Sequence, residues 1–61
     1  MILHAKIGTL SSTRVRTYRI RKLPVVGQVF YVYEHERPIR VRLTQVIGRP
    51  GSDALYLLER L

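Results

Sequence analysis

The chain has no cysteine, no tryptophan and no asparagine, and the first of its four acidic residues is Glu34. Each absence excludes something. Without cysteine there is no disulfide framework to staple so short a chain. A structural zinc site is not expected either, because the remaining ligand types, His4, His35 and four scattered acids, show none of the usual zinc spacings. No apolar run exceeds five residues, far short of the roughly 20 needed to cross a bilayer as a helix. No early cationic cluster leads into an apolar segment, so no secretory signal and no membrane partner are expected. Residues 1–22 are Arg-rich and acid-free like a transit peptide. Removing them leaves too little chain to fold, so they are read as part of the domain. An intracellular location, cytoplasm or nucleoid, is the expectation.

The 61 residues allow one domain, residues 1–61. A domain of this size buries only about 60% of the surface its unfolded chain exposes. With disulfides and metal set aside, self-association is the remaining way to add stability. At 46% apolar and 25% charged the composition is that of a globular protein.

Eleven cationic side chains against four acidic ones give a formal charge of +7, and arginine outnumbers lysine nine to two. Arginine forks onto phosphate oxygens and stacks on planar groups, which lysine does not. The densest cluster is Thr13–Lys22, Thr-Arg-Val-Arg-Thr-Tyr-Arg-Ile-Arg-Lys, with five cations and no acid. Residues 1–33 carry +6 of the total.

Short runs rich in Val, Ile, Thr and Tyr, punctuated by turn residues, predict an all-β domain with little or no helix. The first strand is placed at Ile2–Ile7 with Leu3, Ala5 and Ile7 inward, and a turn at Gly8 and Ser11-Ser12. The second is placed at Thr13–Arg21, with Val15 and Thr17 inward and Arg14, Arg16 and Tyr18 outward. That phase leaves Ile20 on the wrong side, so a bulge near Tyr18-Arg19 is expected. The third, Gln28–Glu34, is apolar on both faces and ends in a hairpin tip at Glu34–Arg37. The fourth opens at Pro38, where a proline is tolerated. It buries Ile39, Val41 and Leu43 and reaches Ile47 through an expected bulge at Thr44-Gln45. The loop Gly48–Asp53 precedes a last strand from Ala54 to Leu58 or slightly beyond.

Five such strands in this length predict a small, strongly bent barrel of SH3-like or OB-like kind. The run Leu23-Pro24-Val25-Val26-Gly27-Gln28-Val29-Phe30-Tyr31-Val32 resembles the opening of SH3-like barrels. The close Leu55-Tyr56-Leu57-Leu58-Glu59-Arg60-Leu61 is similar to their final strand. The resemblance covers residues 23–61 and implies a superfold only; Gln28 stands where an acid is often found. No functional residue is carried over from it.

The charge pattern points to nucleic acid. If the second and fourth strands share a solvent face, Arg14, Arg16, Tyr18, Arg40 and Arg42 form a ladder. Its outward positions are about 6.6 Å apart, a spacing that can follow a phosphate backbone. Lys6, Arg19, Arg21, Lys22 and Arg49 complete the candidate contacts. Arg49, between Gly48 and Gly51, can approach a phosphate, although such a segment is ordinarily a plain loop. Few side chains suit base-edge readout, so low sequence specificity is expected, with duplex DNA favoured over RNA. Tyr31, Tyr33, Tyr56 and Leu58 lie on strands apolar on both sides and are assigned to self-association as a homodimer or higher oligomer; aromatic platforms for bases are the other reading. No catalytic arrangement is present: His35 sits between Glu34 and Glu36, but neighbours on a strand face opposite ways. The chain is therefore expected to be no enzyme and to need no cofactor. The alternative function is an SH3-like adaptor that binds an acidic protein partner.

Overall fold

Alternation of apolar side chains builds the inner wall of a five-stranded, nearly closed barrel. A computed structural model describes residues 1–8 and 14–61. Its strands are β1 (Ile2–Ile7), β2 (Arg16–Arg19), β3 (Val29–Glu34), β4 (Arg37–Ile47) and β5 (Leu55–Arg60). Among the described residues there is no helix, and so none long and apolar enough to cross a membrane. The expected turn at Ser11-Ser12 and the start of the second strand at Thr13 lie outside the described residues.

The sheet order is β2-β1-β5-β4-β3, so neighbours follow the chain around a ring. β1–β2, β3–β4 and β4–β5 are antiparallel and β1–β5 is parallel. An odd number of strands in a ring cannot alternate throughout, and β1–β5 is where the mismatch falls. Among the described residues the ring is open in its backbone at one seam: β2 and β3 approach each other but are not ladder neighbours.

Leu3 and Ala5 of β1, Tyr18 of β2, Val32 of β3, Val41 and Leu43 of β4, and Tyr56 and Leu58 of β5 form the buried core. Ile7, Ile20, Leu23, Phe30, Ile39 and Val46 pack against it. The inward phases expected for β1 and β4 are those observed. The expected bulge in β4 is also there. Leu43 pairs with Leu58 and Gln45 with Leu57, which leaves Thr44 as the extra residue. Its hydroxyl donates to the Leu57 carbonyl at 3.1 Å, and Val46 is returned to the inner phase.

The phase of β2 is the reverse of the expected one. Tyr18 is 5% exposed and Val15 51%, and Thr17 is exposed. Register explains it: Leu3 pairs with Tyr18 and Ala5 with Arg16, both on the inner side, while His4 pairs with Thr17 outside. Tyr18 and Ile20 then share a phase, and no bulge is needed to bring Ile20 to the core.

Two turns set the geometry of the β3 edge. His35 and Glu36 form a two-residue hairpin between β3 and β4 with φ of 49° and 63°. This is the left-handed geometry that matches the strand twist. At the entry to β3, the Gln28 amide donates to the Val25 carbonyl at 3.0 Å across a turn whose third residue, Gly27, has φ 92°. Only glycine adopts that value without strain. The Gln28 side chain accepts a second bond from the Val25 amide at 3.1 Å, which gives this residue a local role in the turn.

Candidate nucleic-acid interface

Hairpin register decides which side chains meet outside the barrel. A two-residue turn makes Glu34–Arg37 a hydrogen-bonded pair. By alternation Tyr33–Pro38, Tyr31–Arg40 and Val29–Arg42 are the close, non-hydrogen-bonded pairs, with Cα atoms about 4.5 Å apart. The Leu43 amide bond to the Gln28 carbonyl, 3.0 Å, fits the same alternation. Tyr31 is 59% exposed and Tyr33 68%. The outer face of β3 is therefore a stripe of Val29, Tyr31 and Tyr33 with the arginines of β4 directly beside it.

On its other side β3 faces the open seam. Tyr33 lines an open cleft of about 360 Å³ together with Arg14, Arg16, Tyr18, Glu34 and His35. The seam is closed by side chains. Tyr18 Oη donates to Glu34 Oε1 at 2.8 Å, and the Arg16 guanidinium forms an ion pair with the same oxygen. Ala5 is opposite Arg16 in register. Burial pushes the Tyr18 hydroxyl above its usual pKa of 10.0, and the Arg16 and Arg14 charges oppose the shift.

The expected ladder of Arg14, Arg16, Tyr18, Arg40 and Arg42 is not one face. β3 lies between β2 and β4 on the seam side, and β1 and β5 lie between them on the other. Tyr18 is inside the barrel, where it offers no ring face to a partner. Arg16 is half-buried and already paired. Arg14 is exposed, and so are Arg19, Arg21 and Lys22. Arg19 pairs with Ile2 on the outer side of β1–β2, and Arg19 and Arg21 line a second cleft with Met1, Ile2 and Ile20. Lys6 is half-buried next to Leu57 in register. Arg40 and Arg42 are exposed on β4. Arg42 is partly neutralised by Glu59 at 3.8 Å, an exposed pair of little energetic weight. Arg49 is exposed in the Gly48–Asp53 loop.

Two of the four residues assigned to self-association are internal. Tyr56 and Leu58 are fully buried, because β5 is flanked by β1 and β4 and their positions face the barrel axis. The Tyr56 hydroxyl emerges at the core's edge and accepts a bond from the Gly51 amide at 3.1 Å, anchoring the loop that carries Arg49. Tyr31 and Tyr33 remain exposed.

Glu34 is the residue that sequence reasoning passed over. Nothing near Arg16 or Tyr18 signals that an acid on a strand sixteen residues onward will bridge them. The pairing of Tyr31 with Arg40, by contrast, follows from counting outward from the hairpin tip. No family model, curated protein or solved structure matches this chain. Among the described residues no group of three or more His, Cys, Asp or Glu is placed to hold a metal ion.

Proposed function

We propose that this small barrel binds nucleic acid, mainly through phosphates and with little sequence preference. The observation that carries the reading is the availability of its positive charge. Arg14, Arg19, Arg21, Lys22 and Arg40 are all exposed, and among the described residues none of them has an acidic partner. Exposed, unpaired cations, Arg19 and Arg40 on barrel strands and Arg14, Arg21 and Lys22 in the segments flanking β2, give the electrostatic footprint of a phosphate-binding protein. Duplex tracking by a single flat ladder has less support, since β2 and β4 are not adjacent.

The test is a binding titration at several salt concentrations on duplex and single-stranded oligonucleotides. Engaging about five phosphates gives a slope of log K against log [salt] near −4 to −5 on duplex and near −3 to −4 on single strands. Replacing Arg14, Arg19 and Arg40 with Gln lowers affinity on either and makes the slope shallower. A wild-type protein that binds neither, at low salt, sinks the reading.

A second reading keeps the SH3-like resemblance and an acidic protein partner. It is favoured by the exposed Val25 and Val26 at the turn before β3, an apolar tip that follows Arg21 and Lys22 closely in sequence. Protein partners that stay bound after nuclease treatment support it over the first.

A further inference from the structure

We propose that the outer face of β3 is a two-base stacking platform for single-stranded nucleic acid, with Tyr31 and Tyr33 as the two rings. The proposal rests on the nucleic-acid reading above and names the form of the ligand. Three features of the barrel carry it.

The rings are the most exposed aromatic surface of the described residues, while Tyr18 and Tyr56 are buried. Two large aromatic side chains exposed at consecutive outward positions of one strand form an amphipathic surface whose flat faces suit bases. The platform is flanked by cations on both sides. Arg40 is the close cross-strand partner of Tyr31, and Arg14 shares the cleft lined by Tyr33, where Arg16 and Glu34 are paired with each other. A strand whose bases lie on the tyrosines can thus place phosphates near Arg40 on one side and near Arg14 on the other.

Spacing selects the single strand. Tyr31 and Tyr33 are consecutive outward positions, about 6.6 Å apart. Stacked bases in one strand of a duplex advance about 3.4 Å per step. Two successive bases can cover both rings only if they are drawn apart, and a paired duplex hides its base faces altogether. The arginines serve duplex and single strand alike; the tyrosines serve only the single strand.

The chain has no tryptophan, so its fluorescence comes from tyrosine. The experiment titrates the full chain with oligo-dT and oligo-U of about a dozen nucleotides, and with a duplex of equal length. It follows tyrosine emission and the anisotropy of a labelled strand. Emission is expected to be quenched by the single strands and little changed by the duplex; the dT and U arms separate deoxyribose from ribose preference.

Tyr31→Ala with Tyr33→Ala is expected to weaken single-strand binding by about a hundredfold, roughly tenfold per ring, while leaving the salt slope and duplex binding unchanged. Tyr31→Phe with Tyr33→Phe keeps the rings and is expected to retain the affinity. Circular dichroism checks that each variant is folded. If the alanine pair lowers the melting temperature too far to interpret, Tyr33→Ala alone is read, with an expected tenfold loss.

Unchanged single-strand affinity in the folded alanine variant overturns the platform, while salt-dependent binding that responds to Arg14→Gln and Arg40→Gln leaves the nucleic-acid reading standing. Absence of binding by the wild type sinks both. A wild-type dimer in solution that becomes monomeric in the alanine variant assigns the tyrosines to self-association and overturns the platform.

Discussion

Tyr18 donates a 2.8 Å hydrogen bond to Glu34 across the seam between β2 and β3, which share no backbone ladder among the described residues. The same carboxylate holds Arg16. One acid from β3 therefore ties down both inward-facing polar residues of β2. Closure of the ring here rests on side chains, whereas every other joint rests on main-chain hydrogen bonds.

Removing that acid is expected to destabilise the fold. Glu34→Ala leaves the Tyr18 hydroxyl without its partner and Arg16 without its counter-ion. Arg16 is about a third exposed, so solvent screens much of the ion pair. The hydrogen-bond loss dominates, at about 1 kcal/mol for a part-buried bond at the edge of an open cleft. A domain of this size has only ~3–9 kcal/mol of stability, so a fall of several degrees in melting temperature is expected by circular dichroism. An unchanged melting temperature contradicts the seam's role.

The same bond predicts behaviour in alkali. Burial raises the Tyr18 pKa above 10.0 in the folded protein. A raised folded-state pKa means the folded protein holds the proton more tightly. Its contribution is fully present below the unfolded value near 10 and is lost as pH rises through the folded value. Tyr18→Phe costs about 1 kcal/mol at neutral pH, the net worth of one hydrogen bond. The gap between wild type and Tyr18→Phe is expected to narrow as pH is raised beyond 10. Thermal melts at matched salt over that range check it; a constant gap contradicts the coupling.

The hairpin offers a stabilising change. His35 and Glu36 both hold positive φ, which costs a non-glycine residue roughly 1–2 kcal/mol. His35→Asn with Glu36→Gly matches the residues this turn prefers. The pair is expected to raise stability by about 1 kcal/mol, measured as a higher urea midpoint with an unchanged slope. A lower midpoint contradicts the assigned turn.

Tyr56 separates core from surface. It is fully buried and its hydroxyl accepts from the Gly51 amide. Tyr56→Phe is expected to cost about 1 kcal/mol, and Tyr56→Ala about 3–5 kcal/mol, a third or more of the whole stability of a domain of this size. A folded, merely monomeric Tyr56→Ala protein contradicts the core assignment and restores the self-association one.

Much of the barrel was legible because its strands keep strict alternation. Leu3-Ala5-Ile7 and Ile39-Val41-Leu43 each fix a phase with no competing pattern. The Thr44-Gln45 bulge follows from the parity break between Leu43 and Val46. β2 was misread for a definite reason. Its arginines suggested an outward face, and Tyr18 shares their parity, so tyrosine was carried out with them. The inward solution depends on Glu34, a partner supplied by another strand. Tyr56 and Leu58 were misread because Leu55-Tyr56-Leu57-Leu58 has no polar residue to mark a face. Which face of the strand lines the barrel axis is set by its pairing with β1 and β4, a property of the topology alone. The tyrosine–arginine stripe was within reach from the register of a two-residue hairpin, but the tyrosines and arginines were assigned to separate surfaces.

The salt series on an oligo-dT strand, repeated with Arg14, Arg19 and Arg40 replaced by Gln, tests the nucleic-acid reading most directly. Affinity is expected to fall steeply from low to physiological salt, with a slope near −3 to −4 for about five phosphates, and with a weaker, shallower dependence in the variant. Binding that is flat in salt, or identical in the folded variant, contradicts it.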